Sequence, residues 1–191
     1  GALPHGLGGK PDIVFSKRLD ADGSWWTGFD CLDGSFDVLK LEDDDDKSDE
    51  SYDIYDADEV SNWGCANNSE HVYYVFKSVT GYSKVGTYTG NASNDGPFVY
   101  TGFKPKWLLI KRTDSDMGWL LVDSARNPQN NVEGSLYPNT GDAEYTGNDH
   151  RLNLLSNGFK LNTTHVYNNA SGGTYLYLAF AETPIKYSRA V

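Results

Sequence analysis

Short runs of apolar residues, separated by turn-forming residues, recur along the chain. One run begins at Ile13 after Pro11, a similar run begins at Trp107 after Pro105, and a Lys-Arg pair follows each. Apolar runs bounded by Pro and by charge are typical of buried β-strands. An Asp-x-Asp sequence with a Gly close behind predicts a hairpin turn, and a Trp then opens the return strand. Because no stretch predicts a helix longer than one or two turns, we expect an all-β fold.

These features occur twice because the chain contains an internal repeat. Near the end of each copy, Tyr73–Phe76 resembles Tyr177–Phe180 at an offset of 104. At the start of each copy the offset is 94, so about ten residues of difference lie in the middle loops, where insertions are tolerated. The pairs at the constant offset of 94 are Lys10 and Lys104, Pro11 and Pro105, Lys17 and Lys111, Arg18 and Arg112, Asp20 and Asp114, Asp22 and Asp116, and Trp25 and Trp119.

The repeat predicts two tandem β-modules of the sandwich, jelly-roll or lectin-like kind. We place the first in residues 1–80, with an acidic insertion at 42–59, and the second in residues 81–191. Each has a size that can bury a core of its own. We expect residues 81–191 to fold independently with a cooperative thermal transition. The first module lacks the strand that opens the second, so we expect it to be less stable alone.

The adjacent pair Trp25 and Trp26 indicates the phase of one strand. Neighbouring side chains of a strand point to opposite faces, so one Trp should be in the core and the other at the surface. Trp25 aligns with Trp119, which makes it the shared core position. Trp26 is therefore the candidate contact residue, either for a sugar ring or for an interface between modules.

Nearly all of the net charge of −11 comes from one segment of the chain. Residues 42–59 hold eleven acids and one base, whereas the rest of the chain has 16 acids and 15 bases. The chain has no basic stripe, so we expect no nucleic-acid partner. We expect residues 43–49 to form a protruding loop and residues 51–60 to be ordered. For Asp43, Asp44, Asp45 and Asp46 two alternatives stay open: a solvated loop, or a site for Ca²⁺ or a basic partner, although the spacing fits no EF-hand.

The composition and the motifs exclude several classes of protein. Thirteen Tyr, eight Phe and five Trp favour strands, and no apolar stretch has the roughly 20 residues that a membrane-spanning helix needs. Cys31 and Cys65 are too few for a disulfide framework, and both the free thiols and a single bridge stay open. No nucleophile, phosphate-binding or zinc-protease motif occurs, and the four His residues are scattered. We predict a non-enzymatic protein without a cofactor. The start, which lacks Met, suggests a piece of a longer protein.

The second half resembles a module of bacteriophage tail-fibre and tail-associated proteins. The resemblance is carried by GTYTGN, by GFKPKWLLIKR, by the step Asp123-Ser124-Ala125-Arg126, by Leu155–Asn162 and by the closing GGTYLYLAFAETPIKYSRAV. It covers the second half and about a third of the first, which departs from the pattern after Trp26.

This resemblance implies the distal, host-facing part of a fibre, assembled in the host cytoplasm and carried on the virion. The implied partners are a bacterial surface receptor, expected to be a glycan, other tail proteins and further copies of the chain, since fibres are commonly trimers. A purely structural virion component and a glycan-cleaving tailspike are the alternatives. Loops rich in Tyr, Asn and Asp suit an adaptable binding surface. The candidate receptor contacts are Trp26, Tyr137, Asn139, Asp142, Tyr145, Asn148, His150 and Arg151.

Overall fold

The computed structural model describes residues 3–50, 56, 58–60 and 69–182, and this part of the chain is nearly all β. It confirms the predicted all-β, sandwich-like fold. The single described helix, α1 (Val166–Asn169), has one turn. The strands are β1 (Leu3–Pro4), β2 (Ile13–Arg18), β3 (Trp25–Phe29), β4 (Phe36–Lys40), β5 (Ser48–Glu50), β6 (Glu59–Val60), β7 (His71–Phe76), β8 (Ser83–Thr89), β9 (Phe98–Tyr100), β10 (Pro105–Arg112), β11 (Trp119–Asp123), β12 (Leu152–Leu155), β13 (Gly158–Leu161) and β14 (Thr174–Ala181).

Antiparallel pairing arranges these strands in three main sheets. The first sheet has the order β5-β4-β3-β2-β7, the middle sheet β11-β10-β14-β8, and the third sheet β12-β13-β9. Strands β1 and β6 form a separate two-stranded sheet. Val60 of this small sheet packs with Val14, Phe36 and Val38 on the outward face of the first sheet.

The sequence repeat is also a structural repeat. The strands of the first copy lie in the order β3-β2-β7, and their counterparts lie in the same order, β11-β10-β14. In the second copy, β8 pairs with the other edge of β14 and supplies the GTYTGN strand. No strand in the described part of the chain pairs with the corresponding edge of β7.

The middle sheet is buried on both faces. Leu108 and Ile110 of β10 face the third sheet, in a core with Leu152 and Phe159. Leu109 lies between them in sequence and belongs to a core shared with Ile13 and Phe15 of the first sheet, as do Trp119, Leu176 and Leu178. The two copies therefore share a core. The predicted boundary near residues 80–81 lies in the turn between β7 and β8, where Gly81 has a φ of 73°.

The strand phase deduced from the tryptophans is confirmed. Trp119 is 1% exposed and Trp26 is 37% exposed. The indole N–H of Trp119 donates to the carbonyl oxygen of Lys40 at 2.8 Å, which ties the middle sheet to the end of β4. Trp25 is half-buried between the sheets and lies 6.0 Å from Tyr74, measured between ring centroids.

The acidic insertion is ordered where the structure describes it and is joined to both the first and the middle sheet. The expected protruding loop over residues 43–49 is correct only in part. Residues 43–47 form an irregular segment in which Asp44, Asp45 and Asp46 are exposed, but Ser48–Glu50 pairs with β4, and the backbone before it is bound to the middle sheet and does not protrude. The amide of Lys47 donates to the carbonyl of Thr113 at 2.9 Å. Of residues 51–60, expected to be ordered, Glu59–Val60 forms β6. Residues 51–55 and 57 lie outside the described residues.

Cys31 is a half-buried free thiol, and burial raises its pKa to about 12. Cys65 lies outside the described residues. Among the residues that the structure describes, no helix is long and apolar enough to cross a membrane.

Candidate functional site

The loop between β11 and β12 carries most of the predicted contact residues. Ser135 and Tyr145 exchange two backbone hydrogen bonds of 2.9 Å, and Leu136 forms a bridge with Leu121 at the edge of β11. A further bridge joins Val132 to Leu152. These bridges fold the loop back on itself and bring Tyr137 close to Tyr145.

Five aromatic rings meet where the end of this loop contacts α1. The ring centroids of Tyr145 and His150 are 4.7 Å apart, and those of Tyr137 and His150 are 5.7 Å apart. Tyr167 lies 5.2 Å from His150, and His165 lies 5.1 Å from it. We call this group the end cluster: Tyr137, Tyr145, His150, His165 and Tyr167.

His150 lies at the centre of the end cluster and is 2% exposed. Its Nδ1 is 2.9 Å from the hydroxyl of Ser135, and its carbonyl accepts from the side-chain amide of Asn168 at 3.1 Å. Burial, reinforced by His165, lowers the pKa of His150 to about 4. Because its ring is buried and neutral, His150 would not contact a ligand itself. It packs against Tyr137 and Tyr145 and supports these half-buried rings.

Polar groups lie beside Tyr145 in the end cluster. The hydroxyl of Tyr145 donates to the carboxylate of Asp149, and this hydrogen bond raises the pKa of Tyr145 and lowers that of Asp149. The carbonyl of Asp149 accepts from the hydroxyl of Thr163 at 2.6 Å. An exposed carboxylate is thus fixed beside a half-buried aromatic ring.

The other predicted residues of this loop have different surroundings. Asn139 is a structural residue, because its side-chain oxygen accepts from the amide of Trp119 at 3.0 Å. Asp142 is exposed and accepts from the hydroxyl of Thr140 at 2.8 Å. Arg151 donates to the carbonyl of Asn148 at 3.1 Å, and Asn148 is exposed. Asp142, Asn148 and Arg151 are therefore local to the loop, outside the ring contacts.

Trp26 lies elsewhere, on the outward face of the first sheet. A cavity of about 320 Å³ opens beside it, lined also by Val38, Lys40, Asp45, Asp46 and Glu50. The ammonium of Lys40 lies 5.8 Å from the centroid of the Trp26 ring. Trp26 therefore belongs to a second candidate site with its own chemistry.

One family profile matches residues 1–184, and its description is a domain of unknown function, DUF7483. The chain belongs to the DUF7483 family. The match spans both copies of the repeat. No curated protein and no solved structure is significantly similar to it.

The acidic insertion at residues 42–59, which we call the acidic run, is partly neutralised by nearby lysines of this DUF7483 domain. Lys40 lies 3.5 Å from Asp43 and 3.4 Å from Asp45. The ammonium of Lys47 is 2.6 Å from a carboxylate oxygen of Asp37, which is fully buried, and 2.6 Å from one of Asp49. Repulsion within the run is thereby reduced without an added ion.

Lys111 holds the run from beneath. It is fully buried in β10, and its ammonium donates to the carbonyls of Asp44 at 3.1 Å and Asp45 at 2.7 Å. Burial lowers the pKa of Lys111 to about 8, although Asp44 and Asp46 oppose the shift. Each of these hydrogen bonds joins the first copy to the second.

Among the predicted metal candidates, oxygens of Asp43, Asp44 and Asp45 lie within 4.8 Å of one another. Ca²⁺ takes six to eight oxygen ligands. Asp46 is outside this group, and Lys40 already contacts two of the three carboxylates. Both alternatives for this run, a solvated loop and a site for Ca²⁺ or a basic partner, stay open.

Sequence reasoning missed His165 and Tyr167 as members of the end cluster. His165 caps α1, and its ring accepts from the amide of Tyr167. The two rings stack at 5.7 Å. They reach the end cluster from a segment after β13, and a sequence pattern gives no sign of such a contact.

Proposed function

We propose that this DUF7483 domain is a receptor-binding module at the distal end of a bacteriophage tail fibre, and that it binds a glycan of the host surface. The observation that carries the proposal is the end cluster, where two half-buried tyrosines lie beside the fixed carboxylate of Asp149. The resemblance to tail-fibre modules supports the setting.

The chemistry of the end cluster suits a sugar. Tyr side chains combine an apolar ring with a hydroxyl and lose little conformational entropy on binding, which is why they are common in binding surfaces. A sugar presents C–H groups to a ring and hydroxyls to carboxylates and amides. Tyr137 and Tyr145 would supply the rings, and Asp149, Asn148 and Arg151 would supply the polar contacts.

The support beneath the cluster favours a preformed site. Ser135, Asn168 and His150 form hydrogen bonds within the protein interior, and they fix the rings before a ligand arrives. Preorganisation of this kind reduces the entropy lost on binding. We therefore expect affinity without a large rearrangement of the loop.

The test is binding of the labelled domain to bacterial cells and to an array of bacterial surface polysaccharides. Tyr145→Ala should lower the affinity for the bound surface by about tenfold or more, the usual effect of truncating an aromatic contact that is a hot spot. Tyr145→Phe, which keeps the ring and loses the hydrogen bond to Asp149, should have a smaller effect. Tyr100→Ala is the matched control, because Tyr100 is an exposed tyrosine on β9.

Three results would contradict the proposal. Absence of binding to every surface would favour a structural virion component, and release of reducing sugar ends would favour a tailspike enzyme. Equal binding by Tyr145→Ala and Tyr100→Ala would place the receptor site away from the end cluster. The proposal also includes other tail proteins and further copies of the chain as partners, which sedimentation of the intact fibre would reveal.

A further inference from the structure

The cavity beside Trp26, which we call the Trp26 cleft, combines an aromatic wall with carboxylates. Its volume is about 320 Å³, and Trp26 and Val38 form its apolar side. The carboxylates of Asp45, Asp46 and Glu50 line it as well. The cleft lies on the outward face of the first sheet, and its chemistry is independent of the end cluster.

The protein itself places an ammonium group in this environment. The Nζ atom of Lys40 lies 5.8 Å from the centroid of the Trp26 ring, a distance at which a cation is attracted to the ring face. The same atom is 3.4 Å from the carboxylate of Asp45. Lys40 thus occupies the cleft as an internal ammonium ligand would.

The acids of the cleft outnumber the bases that contact them. Lys40 pairs with Asp43 and Asp45, and Lys47, which also lines the cleft, is held by Asp37 and Asp49. Within the described chain, Asp46 and Glu50 make no ion pair. A second cationic group would therefore find unpaired carboxylates beside an aromatic ring.

We infer that the Trp26 cleft binds an amino sugar with a free, protonated amine. The C–H face of the sugar would stack on Trp26, and its ammonium would pair with Asp46 and Glu50. A sugar fits better than a lysine side chain because the cleft pairs a flat ring with several carboxylates, which accept hydrogen bonds from neighbouring hydroxyls. The inference goes beyond the proposed function, since it concerns another sheet and another ligand chemistry.

Lys40 competes for the same environment, and this gives the inference a distinctive consequence. Lys40→Met removes the internal ammonium and keeps a side chain of similar length. The backbone carbonyl that accepts from Trp119 remains. The variant should therefore bind the amino sugar more tightly than the wild type. A variant that failed to fold would bind less tightly, so this result could not come from misfolding.

The experiment is a calorimetric titration of the whole chain with a fully deacetylated glucosamine tetramer at about pH 6, where a sugar amine is protonated. The N-acetylated tetramer is the neutral control, and tetralysine is the control for charge alone. We expect a dissociation constant of about 1 mM or below for the amine. Binding of the neutral tetramer should be about tenfold weaker or more.

Variants then locate the site. Trp26→Ala and the double change Asp46→Asn with Glu50→Gln should each weaken binding about tenfold, and Lys40→Met should strengthen it severalfold. The double change Asp95→Asn with Glu182→Gln is the matched control for net charge, because it also removes two carboxylates, both of them exposed and in the second half of the chain. Thermal melts of each variant would confirm the fold.

Four outcomes would overturn the inference. These are no heat of binding with the amine, equal affinity for the neutral tetramer, equal or tighter binding of tetralysine, and unchanged affinity in Trp26→Ala. Binding at the end cluster is read separately by Tyr145→Ala, so either proposal can fail alone.

Discussion

Trp119 connects the two copies through a single side chain. The centroid of its ring lies 6.5 Å from that of Phe15 in the first sheet, and its indole N–H donates to the carbonyl of Lys40. Truncating a buried aromatic usually costs about 3–5 kcal/mol. We therefore expect Trp119→Ala to lower the free energy of unfolding by about that amount, measured by urea denaturation. Trp26→Ala should cost less than about 1 kcal/mol, and a reversed order would contradict the packing.

His150 makes stability depend on pH. Its pKa is about 4 in the folded protein, whereas the ordinary value of an unburied His is 6.5, so the unfolded chain binds more protons between these values. The contribution of His150 to the free energy of unfolding is therefore fully present above pH 6.5. It is lost, by up to about 3 kcal/mol, as the pH falls from 6.5 to 4. Denaturation of His150→Gln across this window should show a flatter profile. His5→Gln, next to the small β1–β6 sheet, is the control and should keep the wild-type slope.

Lys111 joins the acidic run to the middle sheet. Its pKa of about 8 lies below the ordinary 10.5, so the unfolded chain binds more protons between these values. Its titration therefore raises stability as the pH increases from 8 to 10.5, by up to about 3 kcal/mol. The stability difference between wild type and Lys111→Met should follow this rise.

The same variant removes the donor to the carbonyls of Asp44 and Asp45. Amide exchange in residues 42–47 should therefore be faster in Lys111→Met, as measured by mass spectrometry. Lys17→Met is the matched control, since Lys17 is the counterpart in the first copy and its ammonium bonds to Gly23 nearby. Equal exchange in both variants would mean that Lys111 does not hold the run.

The sequence predicted the repeated strands well, because their pattern is local. Alternation and the position of Trp25 were enough to place β2, β3, β10 and β11 and to assign the exposed face to Trp26. A buried Lys111 was beyond such reasoning, because a Lys next to an Arg in a charged pair normally lies in solvent. Only the packing of one copy on the other reveals it.

The candidate site was predictable to a similar degree. Tyr137 and Tyr145 followed from the composition of their loop, whereas His165 and Tyr167 arrive through a contact distant in sequence. The stacking of the copies was also hidden. The run Leu108–Lys111 is buried at every position, as in sheets covered on both faces, but a run of four apolar-rich residues is equally typical of an ordinary core strand.

The core that the two copies share changes what is expected of the second module alone. Residues 81–191 keep the sandwich of the middle and third sheets, with a core that includes Leu108, Leu152 and Phe159. Without the first sheet, the other face of the middle sheet would expose Leu109, Trp119 and Leu176 among others. We therefore expect the fragment to melt cooperatively, as the repeat predicts, and to present a large apolar patch that the full chain covers.

Two measurements on the fragment test this expectation. The fragment should bind a hydrophobic dye more strongly than the full chain, and it should self-associate in a concentration-dependent way in sedimentation experiments. Trp119→Glu in the fragment should reduce both effects, because it places a charge in the exposed patch. A fragment that stays monomeric and binds no dye would mean that the middle sheet does not need the first sheet as a cover. A broad melt would mean that the two copies fold only as one unit, since the core they share would then be required for cooperativity.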